Sequence, residues 1–298
     1  MVEVIHEGKP VTDELLAQWA ADPGLRRLRL AESNMDDEGL VVLSKSPSIE
    51  LLDLTRCVGV TSAGVNAIGQ MTGLKNLKLS GPSIDDDSVR SLANLNNLAA
   101  LSLQQTAVTD QGFKSLAPLK KLTELTLYGT PVTDDSLNII AAFPALQKLR
   151  LRGTKVTGSG IGDAFAKMVL VVDLDLSETA FSNDGLASIG KMKNLRSLNL
   201  WLTQVDDDGV ALLVEQTKLT LLNLDNVSGV TDRSLPLIAT MQDLELLHLG
   251  GTSITAKGIE NLYGLKSLKT LFITRLGLTQ DDVAKVKAAM PWITKLES

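Results

Sequence analysis

Few side chains in this sequence could do chemistry, and they lie far apart. There is one cysteine, Cys57, and there are two histidines. A thiol becomes a nucleophile where an electropositive setting ionises it. Cys57 instead follows Leu52-x-Leu54 in a repeated structural position, the setting of an inert, buried sulfur. His248 shares a periodic frame with Asn223, Asp225 and Phe272, which could suggest acid–base work. No nucleophile with an orienting partner accompanies it, so the chain reads as non-catalytic. The acidic runs Asp36-Asp37-Glu38, Asp85-Asp86-Asp87, Asp134-Asp135 and Asp206-Asp207-Asp208 could attract a hard cation. Their recurrence at one phase fits a plainer role, capping helix starts and complementing helix dipoles. There is no EF-hand loop, Gly-rich phosphate loop or zinc-type Cys/His spacing, so neither metal nor cofactor is expected.

The elements that carry these residues follow from a repeat. Leu98-x-x-Leu101-x-Leu103-x-x-Thr106-x-Val108-Thr109-Asp110-x-Gly112-Phe113-x-x-Leu116-x-x-Leu119 returns about 24 residues later as Leu122, Leu125, Leu127, Thr130, Val132-Thr133-Asp134, Leu137 and Ile140. The same frame runs back through Leu77, Leu52 and Leu28, and forward through Leu149, Leu174, Leu198, Leu222, Leu247 and Leu271. Roughly twelve coils result. Alternating leucines predict a short strand, and Phe113, Leu116 and Leu119 predict a short helix with one buried face. Thr109 or Asp110 stands where an N-cap is needed. One coil cannot bury its own leucines, so stability must come from stacking neighbours. Thr106, Thr130, Thr154, Thr179, Thr203 and Thr252 share a slot with Cys57, and their hydroxyls are expected to hydrogen-bond backbone groups at the bend after the strand, a polar ladder along the stack.

This pattern resembles the leucine-rich-repeat family over essentially the whole chain, and is similar to the cysteine-containing type and its bacterial relatives. It departs from that type in filling the cysteine slot mostly with threonine. The resemblance implies an α/β leucine-rich-repeat solenoid, a right-handed β-α superhelix with a parallel concave sheet and convex short helices. Residues 1–24, with Val11-Thr12-Asp13-Glu14-Leu15-Leu16, read as an N-terminal cap with a degraded strand. Residues 25–298 read as the solenoid with its C-terminal cap, ending in a helix from Asp281, a break at Pro291 and an edge strand near Ile293–Leu296. No part is left for a second domain.

Side chains between the inward leucines face the open side of the sheet. The middle outward position reads Arg29, Asp53, Lys78, Ser102, Thr126, Arg150, Asp175, Asn199, Asn223, His248 and Phe272. Two residues later come Tyr128, Arg152, Trp201 and Asp225, and two earlier Glu124, Lys148, Asp173, Ser197, Leu221 and Leu246. With aromatics at only 3%, an outward Tyr128 and Trp201 stand out, since Trp, Tyr and Arg are enriched at binding hot spots. Arg150 and Arg152 should lie within ion-pair reach of Asp173 and Asp175. Those four could equally be a cross-strand salt-bridge array that contributes little. The candidate partner-binding set is therefore Tyr128, Arg150, Arg152, Asp173, Asp175, Trp201, Asn223, Asp225, His248 and Phe272.

A net charge of −6 repels phosphate backbones, so no nucleic-acid partner is expected. The run Met168–Val172 is too short to span a bilayer, and no membrane association is expected. The start Met1–Glu7 lacks a basic region followed by an apolar one, and a lone cysteine fits a reducing compartment, so a cytoplasmic location is the expectation. The function expected is a non-catalytic, monomeric module binding a protein or peptide on its concave sheet. The alternative is a structural repeat with no dedicated ligand. F-box-type receptors and bacterial ubiquitin-ligase effectors use similar repeats, but each needs a further domain that the repeats leave no room for.

Overall fold

A three-residue strand has too few hydrogen bonds to persist alone and depends on its neighbours. In the computed structural model, which describes residues 2–298, the chain forms two compact units, Met1–Lys148 and Leu149–Ser298. The first contains β1 (Glu3–Ile5), β2 (Arg27–Arg29), β3 (Leu51–Asp53), β4 (Asn76–Ser80), β5 (Ala100–Gln104) and β6 (Glu124–Thr126), each pairing in parallel with the next. β7 (Lys148–Arg150) spans the junction in the sequence. In the second unit β8 (Asp173–Asp175), β9 (Ser197–Asn199), β10 (Leu221–Asn223), β11 (Leu246–His248), β12 (Thr270–Phe272) and β13 (Lys295–Glu297) pair in the same way. Register sets leucine beside leucine: Leu28, Leu52, Leu77, Leu101 and Leu125 in one unit, Leu174, Leu198, Leu222, Leu247 and Leu271 in the other. All ten are buried, each stabilising its stack by about 1.5–3 kcal/mol relative to an exposed side chain.

The chain leaves each strand through a left-handed residue. Glu32, Arg56, Gln105, Glu178, Leu202, Asn226 and Arg275 have φ between 53° and 61°, and Gly129, Gly153 and Gly251 occupy the same place in their coils. Non-glycine residues are strained there, so the fold must hold each bend from both sides. Part of that hold is the threonine slot. Thr106, Thr130, Thr154, Thr179, Thr203 and Thr252 donate their hydroxyls to the carbonyls of Leu103, Leu127, Leu151, Leu176, Leu200 and Leu249, three residues back. These bonds close within each coil, at the bend after the strand as expected, and the same bond recurs from coil to coil. Cys57 differs, its thiol donating to the Leu30 carbonyl of the preceding coil at 3.0 Å. Burial raises its pKa, which keeps it an unreactive thiol.

The acidic runs do more than cap. Asp36, Asp85 and Asp206 are N-caps of their own helices. The next acidic residue reaches forward one coil. Asp37 accepts from Thr61 N (2.8 Å), Thr61 Oγ1 (2.5 Å) and Gly64 N (2.9 Å). Asp86 binds Thr109 alike, and Asp110 accepts from the Thr133 N–H and both the Thr133 and Ser136 hydroxyls. In the second unit Asp207 holds Thr231 and Ser234, and Asp232 holds Thr255. Burial raises the carboxyl pKa of Asp110 and Asp207, but these donors outweigh it and the net shift is downward. The stacking also explains the glycine two residues into the next helix. A Cβ on Gly112 or Gly258 would collide with the Asp86 or Asp232 carboxylate.

The helix Gln280–Ala289 opens with a Thr279–Asp282 capping box, and β13 follows the break at Pro291. The start of the chain is less degraded than expected, because Glu3–Ile5 is a paired strand. Among the described residues no helix is long and apolar enough to cross a membrane.

Candidate functional site

The open face of the second unit is built from the outward positions of β8–β13, and its polar side chains serve the backbone first. Asp175 accepts from Ser177 N and Oγ at 3.0 and 2.6 Å. Asn199, Asn223 and His248 Nδ1 accept from the N–H groups of Trp201, Asp225 and Gly250 at 3.0, 2.9 and 3.2 Å. Each bridges to the residue two positions on, where the chain turns out of the strand. This corrects the expectation that the middle positions lie open. Asp53 and Asp175 are buried, because a short side chain that folds onto its own backbone is covered by its neighbours; Ser102 is buried too, though its hydroxyl has no partner among the described residues. The same geometry fixes the histidine: an Nδ1 that accepts leaves its proton on Nε2.

Two groups remain for contact. In the first, Leu221 and Leu246 lie side by side in register, both half-buried, although the inward face of these strands is already filled by Leu222, Leu224, Leu247 and Leu249. On the adjoining row the His248 and Phe272 rings stack 4.5 Å apart at 13°. Lys295 Nζ lies 4.9 Å from the Phe272 ring centre. Burial pushes the His248 imidazole below its ordinary value; Asp225 and Glu297 oppose this and Arg275 adds to it. Asp225 is paired with the Arg275 guanidinium and lies 3.7 Å from His248 Nδ1. Gly250 lies beneath, where a Cβ would come 2.9 Å from both the Asp225 carboxylate and the His248 ring.

In the second group Arg150 reaches Asp173 at 2.8 Å and Asp175 at 3.9 Å. Arg152 takes a different partner from the aspartates expected. It grips Glu178 through two bonds of 2.8 and 2.9 Å, since the left-handed bend turns Glu178 toward it. That bond holds the Glu178 carboxyl below the usual carboxylate range. The Arg152 guanidinium also lies 5.1 Å from the centre of the half-buried Trp201 ring. The Trp201 indole N–H is shielded from solvent and has no acceptor among the described residues. Leu202, at the next bend, is 51% exposed. Tyr128 belongs to the first unit, where it is half-buried and its carbonyl accepts from Gln105 N at 2.6 Å.

Sequence reasoning placed Leu221 and Leu246 outward but missed that they form a patch. The signal was present in the doubled leucines Leu221-Leu222 and Leu246-Leu247, of which one must face out. It also missed the bend residues Glu178, Leu202 and Arg275, which alternate with glycine at one phase of the repeat. Among the described residues no cluster of three or more His, Cys, Asp or Glu side chains is arranged to hold a metal.

No protein-family profile matches the chain, and no curated protein is significantly similar to it. Solved structures do match. An internalin, InlF, from Listeria monocytogenes aligns over 100% of this chain and 87% of its own, with a TM-score of 0.73 and 18% identity. A leucine-rich-repeat protein of Leptospira interrogans aligns over 96% of this chain and 92% of its own, with a TM-score of 0.53 and 16% identity. The fold is that of the leucine-rich-repeat proteins, with bacterial examples among its structural neighbours.

Proposed function

We propose that the chain is a non-catalytic module that binds a protein or peptide through the open sheet face of its second unit. Residues 1–24 and the segment from Gln280 onward serve as end caps. The observation that carries the reading is the apolar group Leu221, Leu246, His248 and Phe272 on a face the core does not need. A sheet face left to water favours polar residues, as Glu124, Lys148 and Asp173 show in the same row. Covering the two leucines and the Phe272 ring supplies the driving force, and the Arg152–Trp201 pair forms a polar rim of the kind that excludes water from a contact.

A structural repeat without a ligand is the second reading, supported by the polar side chains that serve the backbone and by charges already matched on the face. One experiment separates the two. The binding partner recovered by co-purification is titrated against wild type and Leu221→Asp/Leu246→Asp, with thermal unfolding as the folding control. Binding through this face predicts at least a tenfold loss of affinity in a folded variant. Unchanged affinity sinks it. Trp201→Ala and Tyr128→Ala, compared singly, report whether the contact extends to the rim and to the first unit.

A further inference from the structure

A second surface lies away from the sheet, on the segments that return each helix to its strand in three consecutive coils of the second unit. Val169 and Leu170 are 62% and 46% exposed on the first, and Leu212 and Val214 are 42% and 41% exposed on the third. These four are a large part of the exposed aliphatic surface of an otherwise well-covered chain. The loops are fixed to one another. Asn194 Nδ2 donates to the Val169 carbonyl at 2.8 Å, Gln216 Nε2 to the Gly190 carbonyl at 2.7 Å, and Arg196 to the Lys218 carbonyl at 3.4 Å. Between the second and third loops runs an open groove of about 450 Å³ lined by Lys191, Met192, Lys193, Gln216 and Lys218.

The charge here is opposite to that of the whole protein. Lys167, Lys191, Lys193, Arg196 and Lys218 stand on these segments against Asp163 and Glu215. One ammonium is neutralised: Lys191 pairs with Asp163 at 2.6 Å and holds that carboxyl below the usual range. Lys193 and Lys218 are exposed and have no ion-pair partner among the described residues, while Lys167 adds to the positive field on Asp163. A patch carrying the unmatched ammonium groups of Lys193 and Lys218, on a chain of net charge −6, attracts anions locally while the rest of the surface repels them.

We propose that this edge is a docking surface for an acidic peptide segment that carries an apolar side chain. The carboxylates pair with Lys193 and Lys218 along the groove, and the apolar side chain covers Leu212 and Val214. A groove flanked by Glu215 suits a narrow chain better than a flat anionic bilayer, which would meet that carboxylate as well. The surface is separate from the sheet face, so either can fail alone.

The test is a selection of a random twelve-residue displayed-peptide library on the whole chain, with Lys193→Glu/Lys218→Glu as the counter-selection. Expected are peptides rich in Asp or Glu around a Leu, Ile or Phe. Their affinity should fall about tenfold between 50 and 500 mM NaCl, as screening of exposed charges requires. It should fall at least tenfold on the charge-reversed variant and stay unchanged on Leu221→Asp/Leu246→Asp. Enriched peptides that are not acidic, or that bind the charge-reversed variant equally, overturn the proposal, as does a library with no enrichment. Vesicles with about 30% phosphatidylserine serve as the second arm. Binding to these that depends on Lys193 and Lys218 and competes with every enriched peptide assigns the patch to lipid and overturns it too.

Discussion

Replacing Gly258 with alanine tests the contact on which neighbouring coils depend. In an ordinary helix the change is favourable, by about 0.8–1 kcal/mol. Here the new methyl would collide with the Asp232 carboxylate and come 2.9 Å from Leu235 Cδ1. Moving the carboxylate aside gives up its bonds to Thr255 N (2.8 Å) and Thr255 Oγ1 (2.6 Å), which cap the same helix. Overpacking of this kind costs about 1–3 kcal/mol, enough to reverse the propensity gain. Set against the propensity gain this leaves a net loss of up to about 2 kcal/mol, which for a chain of 298 residues lowers the unfolding temperature by up to roughly 3 °C, at about 2.1 cal/mol/K per residue. The contact can be isolated by a cycle. In an Asp232→Ala background only the flexible end of Leu235 must give way, and Gly258→Ala should be neutral to within about 0.5 kcal/mol or stabilising. Gly258→Ser should recover part of the loss, because Ser136 and Ser234 fill this position in their coils and donate to Asp110 and Asp207 at 2.5 Å. Calorimetry of the five proteins decides the matter. An Ala variant more stable than wild type, or equal losses in both backgrounds, would refute the close approach.

Three further outcomes follow. Asp207→Ala strips the Thr231 N–H, the Thr231 hydroxyl and the Ser234 hydroxyl of a shared acceptor, and should cost about 3 kcal/mol in denaturant unfolding; a cost under 1 kcal/mol would mean water replaces it freely. His248 should titrate below the ordinary histidine value when its Cε1–H resonance is followed by NMR, with Asp225→Asn lowering it further. The sign is set by that depressed folded value: stability is whole above about pH 6.5, falls as pH drops toward the folded pKa, and levels off below it. Asp110 and Asp207, also depressed, act in a separate window, their contribution being present above the ordinary carboxylate pKa and lost as pH falls through their lowered values. Trp201→Phe removes an indole N–H that has no acceptor among the described residues, so the melting point should move by no more than the equivalent of about 1 kcal/mol. A large drop would show that the N–H is bonded in solution.

The coil itself was legible in the sequence because two periods, two for the strand and three for the helix, were repeated in a single frame. Leu101, Leu103, Phe113 and Leu116 each fell on the buried side that period assigned. The partners of Asp37, Asp86 and Asp207 were not legible. A carboxylate at a helix start satisfies the rules of capping in its own coil, and only stacking reveals that the amides of the next coil are closer. The candidate face was half legible for a similar reason. Alternation correctly turned Asp175, Asn223 and His248 away from the leucines, but it carries no information on where a side chain goes after leaving the strand. The left-handed bend decides that, by presenting the N–H two residues on as a donor. The bend also brings Glu178, rather than a strand residue, to Arg152.

The division of labour within a coil bears on what the open face is for. Leucines inside, threonines at the bend and carboxylates at the helix starts together satisfy the burial and hydrogen-bonding demands of stacking. The middle outward residues add the acceptors for the N–H groups of the bend, and the first outward position takes no part. The first outward position is therefore free to vary with little consequence for the fold, and in β6, β7 and β8 it holds Glu124, Lys148 and Asp173, as water would favour. In β10 and β11 it holds leucine twice, beside stacked aromatic rings. Stacking does not ask for those leucines and solvation opposes them. Leu221 and Leu246 are therefore the residues that the proposed contact would cover, and substituting both with aspartate should leave the melting temperature nearly unchanged while abolishing that contact.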